Sequence, residues 1–143
     1  GAHTAAMPIL AVITGADMVG IEVEAYFGGS SEVAIWGATS TDSSVANGEG
    51  FAGAASGTGW SLSQQGFTLG NVSDTGSQLG LWTFGNFTGD FITRFTVRGL
   101  PGSIVFDVSD LDGPEGTPGS GVGRAFLPES DAPVLSAFYS DQF

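Results

Sequence analysis

The chain has 143 residues, enough for one domain that buries roughly two thirds of its unfolded surface. It contains no cysteine and no lysine, and 15 acidic residues against three arginines (Arg94, Arg98, Arg124) give a formal charge of −12. That balance repels phosphate and excludes nucleic acid and anionic membranes as natural partners, and no apolar run approaches the ~18–20 residues of a transmembrane helix. The one histidine, His3, cannot make a zinc set alone, and a phosphate-binding loop of the lysine type is impossible.

Pro8–Thr14 is a short apolar run rich in β-branched residues, too short for a helix, and ends at Gly15-Ala16-Asp17. Ile21, Val23, Ala25 and Phe27 then alternate with Glu22, Glu24 and Tyr26, the period of a strand with one buried face. Gly28-Gly29-Ser30-Ser31 is a hairpin signal leading into Glu32–Trp36, so residues 19–37 are expected to form a β-hairpin. Residues 38–58 are small and polar, with Val45 and Phe51 as the apolar anchors, and read as a long surface loop. Trp60 and Leu62 mark the next strand, and Phe67 and Leu69 precede a polar turn at Asn71–Asp74.

Residues 79–108 read as three consecutive strands around which the others are laid. Trp82 and Phe84 alternate with Leu81 and Thr83, and the turn Asn86–Asp90 follows. Phe91, Thr93, Phe95 and Val97 then share one face, with Ile92, Arg94, Thr96 and Arg98 on the other. Leu100-Pro101-Gly102-Ser103 is a turn in which Pro presets φ and Gly takes φ > 0, and Ile104–Phe106 resume an apolar strand. Asp107–Gly123 is a glycine- and proline-rich loop, followed by short strands at Arg124–Leu127 and Val134–Tyr139. No sustained helical period occurs. The expected fold is all-β: an antiparallel β-sandwich or jelly roll of about nine short strands with long Gly/Ser-rich loops, as a single domain over residues 1–143.

Four stretches, GADMVGIEVEAYFGGSSEVAIW (15–36), GWSLSQQGFTLG (59–70), LWTFGNFTGDFITRFTVRGLPGSIVFD (81–107) and GTPGSGVGRAF (116–126), resemble extracellular domains of bacterial proteins sorted by the PEP-CTERM/exosortase system. The resemblance implies a secreted, β-rich, cysteine-poor protein of the cell surface or exopolysaccharide matrix. The sorting signal of that system is absent from these residues, so membrane anchoring is not carried over. Such domains continue with further strands beyond the position of Phe143, which implies an incomplete sandwich with an open edge.

Little catalytic chemistry is on offer. A Ser–His–Asp triad would have to recruit His3 at the terminus, and no G-x-S-x-G occurs. Glu22 and Glu24, on one strand face about 7 Å apart, have the spacing of a glycosidase pair, but so does any solvated strand face. Asp107, Asp110, Asp112 and Glu115 place four carboxylates and a glycine turn in ten residues, a set suited to Ca²⁺, which takes six to eight oxygens; the alternative is an acidic loop that uses Asp for turns. Trp36, Trp60 and Trp82 suit either core packing or a sugar-stacking platform, and Trp36, opposite Val33 and Ile35, is the candidate for exposure. Asn71-Val72-Ser73 and Asn86-Phe87-Thr88 match the N-glycosylation sequon, and Thr39–Ser44 could carry O-linked sugar, though all fit turns and polar loops.

The sequence reading is therefore a non-enzymatic, secreted structural protein of the bacterial cell surface or matrix, a filament-type subunit that associates with itself by strand addition, with residues 1–14, in particular Pro8–Thr14, as the exchanged strand. The alternative is a carbohydrate-binding module of the exopolysaccharide matrix. Ca²⁺ is the one cofactor it provides for.

Overall fold

The computed structural model describes residues 13–68 and 82–104, all within one compact unit, Val12–Phe106. The unit is all-β, with seven strands among the described residues against the nine or so expected for the whole chain: β1 Glu22–Tyr26, β2 Ser31–Ile35, β3 Gly37–Thr41, β4 Phe51–Gly57, β5 Trp60–Gln65, β6 Trp82–Asn86 and β7 Arg94–Arg98. They form two antiparallel sheets, one in the order β2-β1-β7 and one in the order β3-β4-β5-β6, packed as a sandwich.

The expected hairpin is present. Val23 pairs with Ala34 and Tyr26 with Ser31, and Gly28 takes φ of +80° at the turn. The chain does not stop at Ile35: one extended run from Ser31 to Thr41 leaves the first sheet as β2 and enters the second as β3. Trp36 sits at the corner, completely buried, and donates its indole N–H to the Gly15 carbonyl at 2.8 Å. That carbonyl begins a short 3-10 helix, Gly15–Met18, whose Asp17 carboxylate accepts from the N–H and hydroxyl of Thr14 at 2.8 and 3.0 Å.

The core between the sheets holds Met18, Ile21, Val23, Ala25, Trp36, Ala55, Trp60 and Leu62. Burial of each large aliphatic side chain among them contributes roughly 1.5–3 kcal/mol relative to exposure. Aromatic pairs extend the core across the sandwich: Phe84 on β6 stacks on Phe95 of β7 with centroids 4.8 Å apart, and Trp82 meets Trp36 at 5.5 Å.

Four expectations are corrected. Residues 38–58 are not a structureless loop, because they carry β3, a 3-10 turn at Ala46–Gly48 and β4. The strand hides in small residues because its inward positions, Gly53 and Ala55, lie under the indoles, where nothing larger fits. The run 79–108 is not a meander. β6 pairs with β5 and β7 with β1, in different sheets, and Phe91–Thr93 lie ahead of β7 with Phe91 exposed. Alternation reports which side of a strand is buried, but not which neighbour it pairs with. Leu100–Gly102 is a 3-10 turn, and the left-handed residue is Ser103 (φ 59°), not Gly102. Trp36, the candidate for exposure, is core, while Val33 and Ile35 on the opposite face are open to solvent. The volume of the indole, not the β-branched pair, decides which face turns inward.

Candidate functional site

The outer face of the three-stranded sheet follows from its register. Across the strands run Ile35–Glu22–Arg98, Val33–Glu24–Thr96 and Ser31–Tyr26–Arg94. β2 thus gives the face an apolar stripe, β1 an acidic one and β7 a basic one. Arg98 reaches diagonally to Glu24 (2.6 Å), and Ser31 donates to the same carboxylate at 2.6 Å. The guanidinium of Arg94 lies over the Tyr26 ring, 4.1 Å from its centroid, a cation–π contact. The Ser31 hydroxyl, then Arg98 and Tyr26, hold the Glu24 carboxyl down to about 2 from its ordinary 4.5. A carboxylate so stabilised as an anion is a poor general acid near neutrality, so the Glu22/Glu24 arrangement reads as a structural ion pair with a neighbouring acid.

The edge of this face is β2. Trp36 N–H donates to the Ile21 carbonyl and Phe27 N–H to the Ser30 carbonyl, both at 2.8 Å. Hydrogen-bonded positions alternate along an antiparallel pair, so Ser30, Glu32, Ala34 and Trp36 turn their backbone groups toward β1. Ser31, Val33 and Ile35 turn theirs outward. β2 has no second strand beside it among the described residues. The side chains of the same residues are open, Val33 at 49% and Ile35 at 58% exposure.

Other edges carry guards that β2 lacks. β3 is broken by a register shift between Ala38 and Ser40, and β7 carries Arg94 and Arg98. Bulges and charged residues of this kind discourage edge pairing. The charge on β2, Glu32, points inward, where it accepts from the Thr58 N–H and from the Trp60 indole N–H at 3.2 Å. That contact ties β2 to the β4–β5 turn of the other sheet and holds the edge straight.

The sequence-assigned sites fare unevenly. Asp107, Asp110, Asp112 and Glu115 lie outside the described residues, and among the described residues no group of three or more His, Cys, Asp or Glu could hold a metal ion. Trp60 is buried as expected, and Trp82 and Phe95 are half-buried. Asn86 of the second sequon is engaged within its turn, donating to the Asp90 carbonyl (2.8 Å) and accepting from the Thr88 N–H and hydroxyl; Asn71 lies outside the described residues. Of the expected exchanged strand Pro8–Thr14, the described end pairs within its own chain: Thr14 bridges Phe67, and the Ile13 carbonyl accepts from the Thr68 N–H at 2.8 Å. The open edge of β2 escaped the sequence reading, although its signal was there: a single Trp36 outweighs Val33 and Ile35 in the choice of inner face.

The fold and this edge define an antiparallel β-sandwich with one unguarded strand. No protein-family description, curated protein or solved structure matches the chain. No helix among the described residues is long and apolar enough to cross a membrane.

Proposed function

We propose that the chain is a non-enzymatic structural subunit, secreted to a bacterial cell surface or extracellular matrix, that joins to further copies of itself by strand addition at β2. One observation carries the reading: Ser31, Val33 and Ile35 direct both their backbone hydrogen-bonding groups and exposed side chains to an edge without bulge, proline or cation. Strand addition there satisfies outward N–H and C=O groups and covers two β-branched side chains at once. The donor is a second β2, laid antiparallel across a two-fold axis, in place of the Pro8–Thr14 segment. Composition supports the extracellular setting: no cysteine, no lysine, 24 glycines and a charge of −12 keep assembled copies from clumping laterally. Ca²⁺ held by Asp107, Asp110, Asp112 and Glu115 belongs to the same proposal as a bridge or brace. The carbohydrate-binding alternative loses its platform among the described residues, where Trp36 and Trp60 are buried and Tyr26 is capped by Arg94.

The test is sedimentation velocity across a wide concentration range. The proposal expects reversible association in the native chain and a large loss of it in Ile35→Lys, whose ammonium cannot be buried in a new sheet without cost. Equal association of the two proteins contradicts it.

A further inference from the structure

A contact of β2 with β2 is two-fold and closes on itself, so growth beyond a pair needs a second contact that does not close. Two features at opposite poles of the four-stranded sheet supply its halves. At one pole the connection between β6 and β7 presents Phe87 at 81% and Phe91 at 91% exposure. The connection is braced: Asn86 and Thr88 both donate to the Asp90 carbonyl (2.8 and 3.1 Å), and Phe87 N–H is bonded to the Gly59 carbonyl of the β4–β5 turn. The Phe87 ring folds over Gly85, where a Cβ would collide with it at 2.7 Å. Two phenyl rings are thus held in water on a loop that is tied at both ends.

At the other pole, where β4 begins, lies an open depression of about 300 Å³. Val45, Gly48, Phe51 and Phe67 form its apolar side, with Thr14 and Asp17 at its polar side. An apolar cavity of about 150 Å³ takes up benzene, so a phenyl ring fits. β4 runs from the depression to the turn that anchors Phe87, and seven residues at ~3.3 Å each place the two features roughly 20 Å apart along one strand. Knob and socket therefore cannot meet within one molecule, and point in opposite directions along the same axis.

We propose that Phe91, flanked by Phe87, inserts into the Val45–Phe51–Phe67 depression of a second copy, which makes a head-to-tail contact that repeats without closure. The two rings bring roughly 300–400 Å² to the contact, well short of the ~800 Å² per partner of a stable complex. The contact is accordingly weak alone and concentration-dependent, and gains strength from the β2 pairing on whose reading the filament rests.

The test uses the full chain in an Ile35→Lys background, which removes edge pairing and isolates this contact. Sedimentation equilibrium at high concentration is expected to show open-ended growth in average mass. Adding Phe87→Ser with Phe91→Ser, or adding Val45→Glu at the exposed rim of the depression, weakens association by about thirtyfold or more, as loss of an aromatic anchor does. All four positions are solvent-facing, and a thermal melt confirms that each variant remains folded. An equimolar mixture of the knobless and the socketless variants is expected to form one-to-one dimers and nothing larger, since one good knob and one good socket remain between them. A mixture without dimers overturns the contact, as does an Ile35→Lys chain that is monomeric throughout while the native chain associates; that second result leaves strand addition standing. An Ile35→Lys chain that associates as strongly as the native one, and loses association on removal of the two phenyl rings, overturns strand addition and upholds the head-to-tail contact. A native chain that stays monomeric overturns both.

Discussion

The indole of Trp36 occupies the space that a side chain at Gly53 would need. A Cβ built on Gly53 collides with the Trp36 Nε1 and with the Gly15 carbonyl oxygen to which that nitrogen is bonded. The corner where β2 passes into β3 is therefore closed by one indole, one carbonyl and one absent side chain. Gly53→Ala must displace all three, and overpacking of this kind costs about 1–3 kcal/mol. Gly37→Ala, one residue beyond the indole but with open space at its Cβ, is expected to leave stability nearly unchanged. Urea denaturation of the two variants checks the contrast.

Phe84 and Phe95 join the sheets through a stacked pair inclined by 9°. Removing either ring lowers stability, and a double-mutant cycle on Phe84→Ala and Phe95→Ala is expected to give a coupling of about 0.5–1.5 kcal/mol beyond the area each buries. A coupling near zero in the same denaturation experiment would mean that the rings act independently.

Glu24 gives the outer face a pH signature. Its carboxyl is held at about 2 in the fold against 4.5 ordinarily, so the unfolded chain binds the proton more readily. The stabilisation is fully present above about pH 5 and fades as pH falls through 4.5 toward 2. Glu24→Gln is expected to be less stable than the native chain near neutrality, with the gap closing over that window. Denaturant midpoints at a series of pH values measure it, and a gap constant with pH would remove Glu24 from the account.

Much of this architecture was legible beforehand, for physical reasons that can be named. The β1–β2 hairpin announces itself because Ile21, Val23 and Ala25 alternate cleanly with polar residues and Gly28 supplies the left-handed turn. β4 does not, because a strand lying under Trp36 and Trp60 must be made of glycine and alanine, the residues that read as loop. The pairing of β6 and β7 was misread for a different reason. The Asn86–Asp90 turn looks like a hairpin locally, but its hydrogen bonds close on themselves and the chain then docks through the Thr93 N–H on the Tyr26 carbonyl at 2.9 Å. The edge of β2 became visible only when the indole had settled which face of the strand is inner.

Salt provides a test of what drives association. Copies carrying −12 each repel, while the contacts proposed at β2 and at Phe91 are apolar or made by backbone. Raising ionic strength from low values to about 0.15 M shortens the screening length to ~8 Å and is expected to strengthen association, as light scattering would record. Association that weakens with salt would point to ion pairs instead.

The most direct measurement is amide hydrogen exchange at β2, followed by NMR at low and high protein concentration. Ser31, Val33 and Ile35 direct their N–H groups away from β1, so in the isolated molecule they exchange rapidly, while Glu32 and Ala34 on the same strand are protected by β1. Strand addition predicts that Ser31, Val33 and Ile35 gain protection as concentration rises, with Glu32 and Ala34 changing little. If copies associate while the amides of Ser31, Val33 and Ile35 go on exchanging as freely as in the monomer, β2 is not the joining strand.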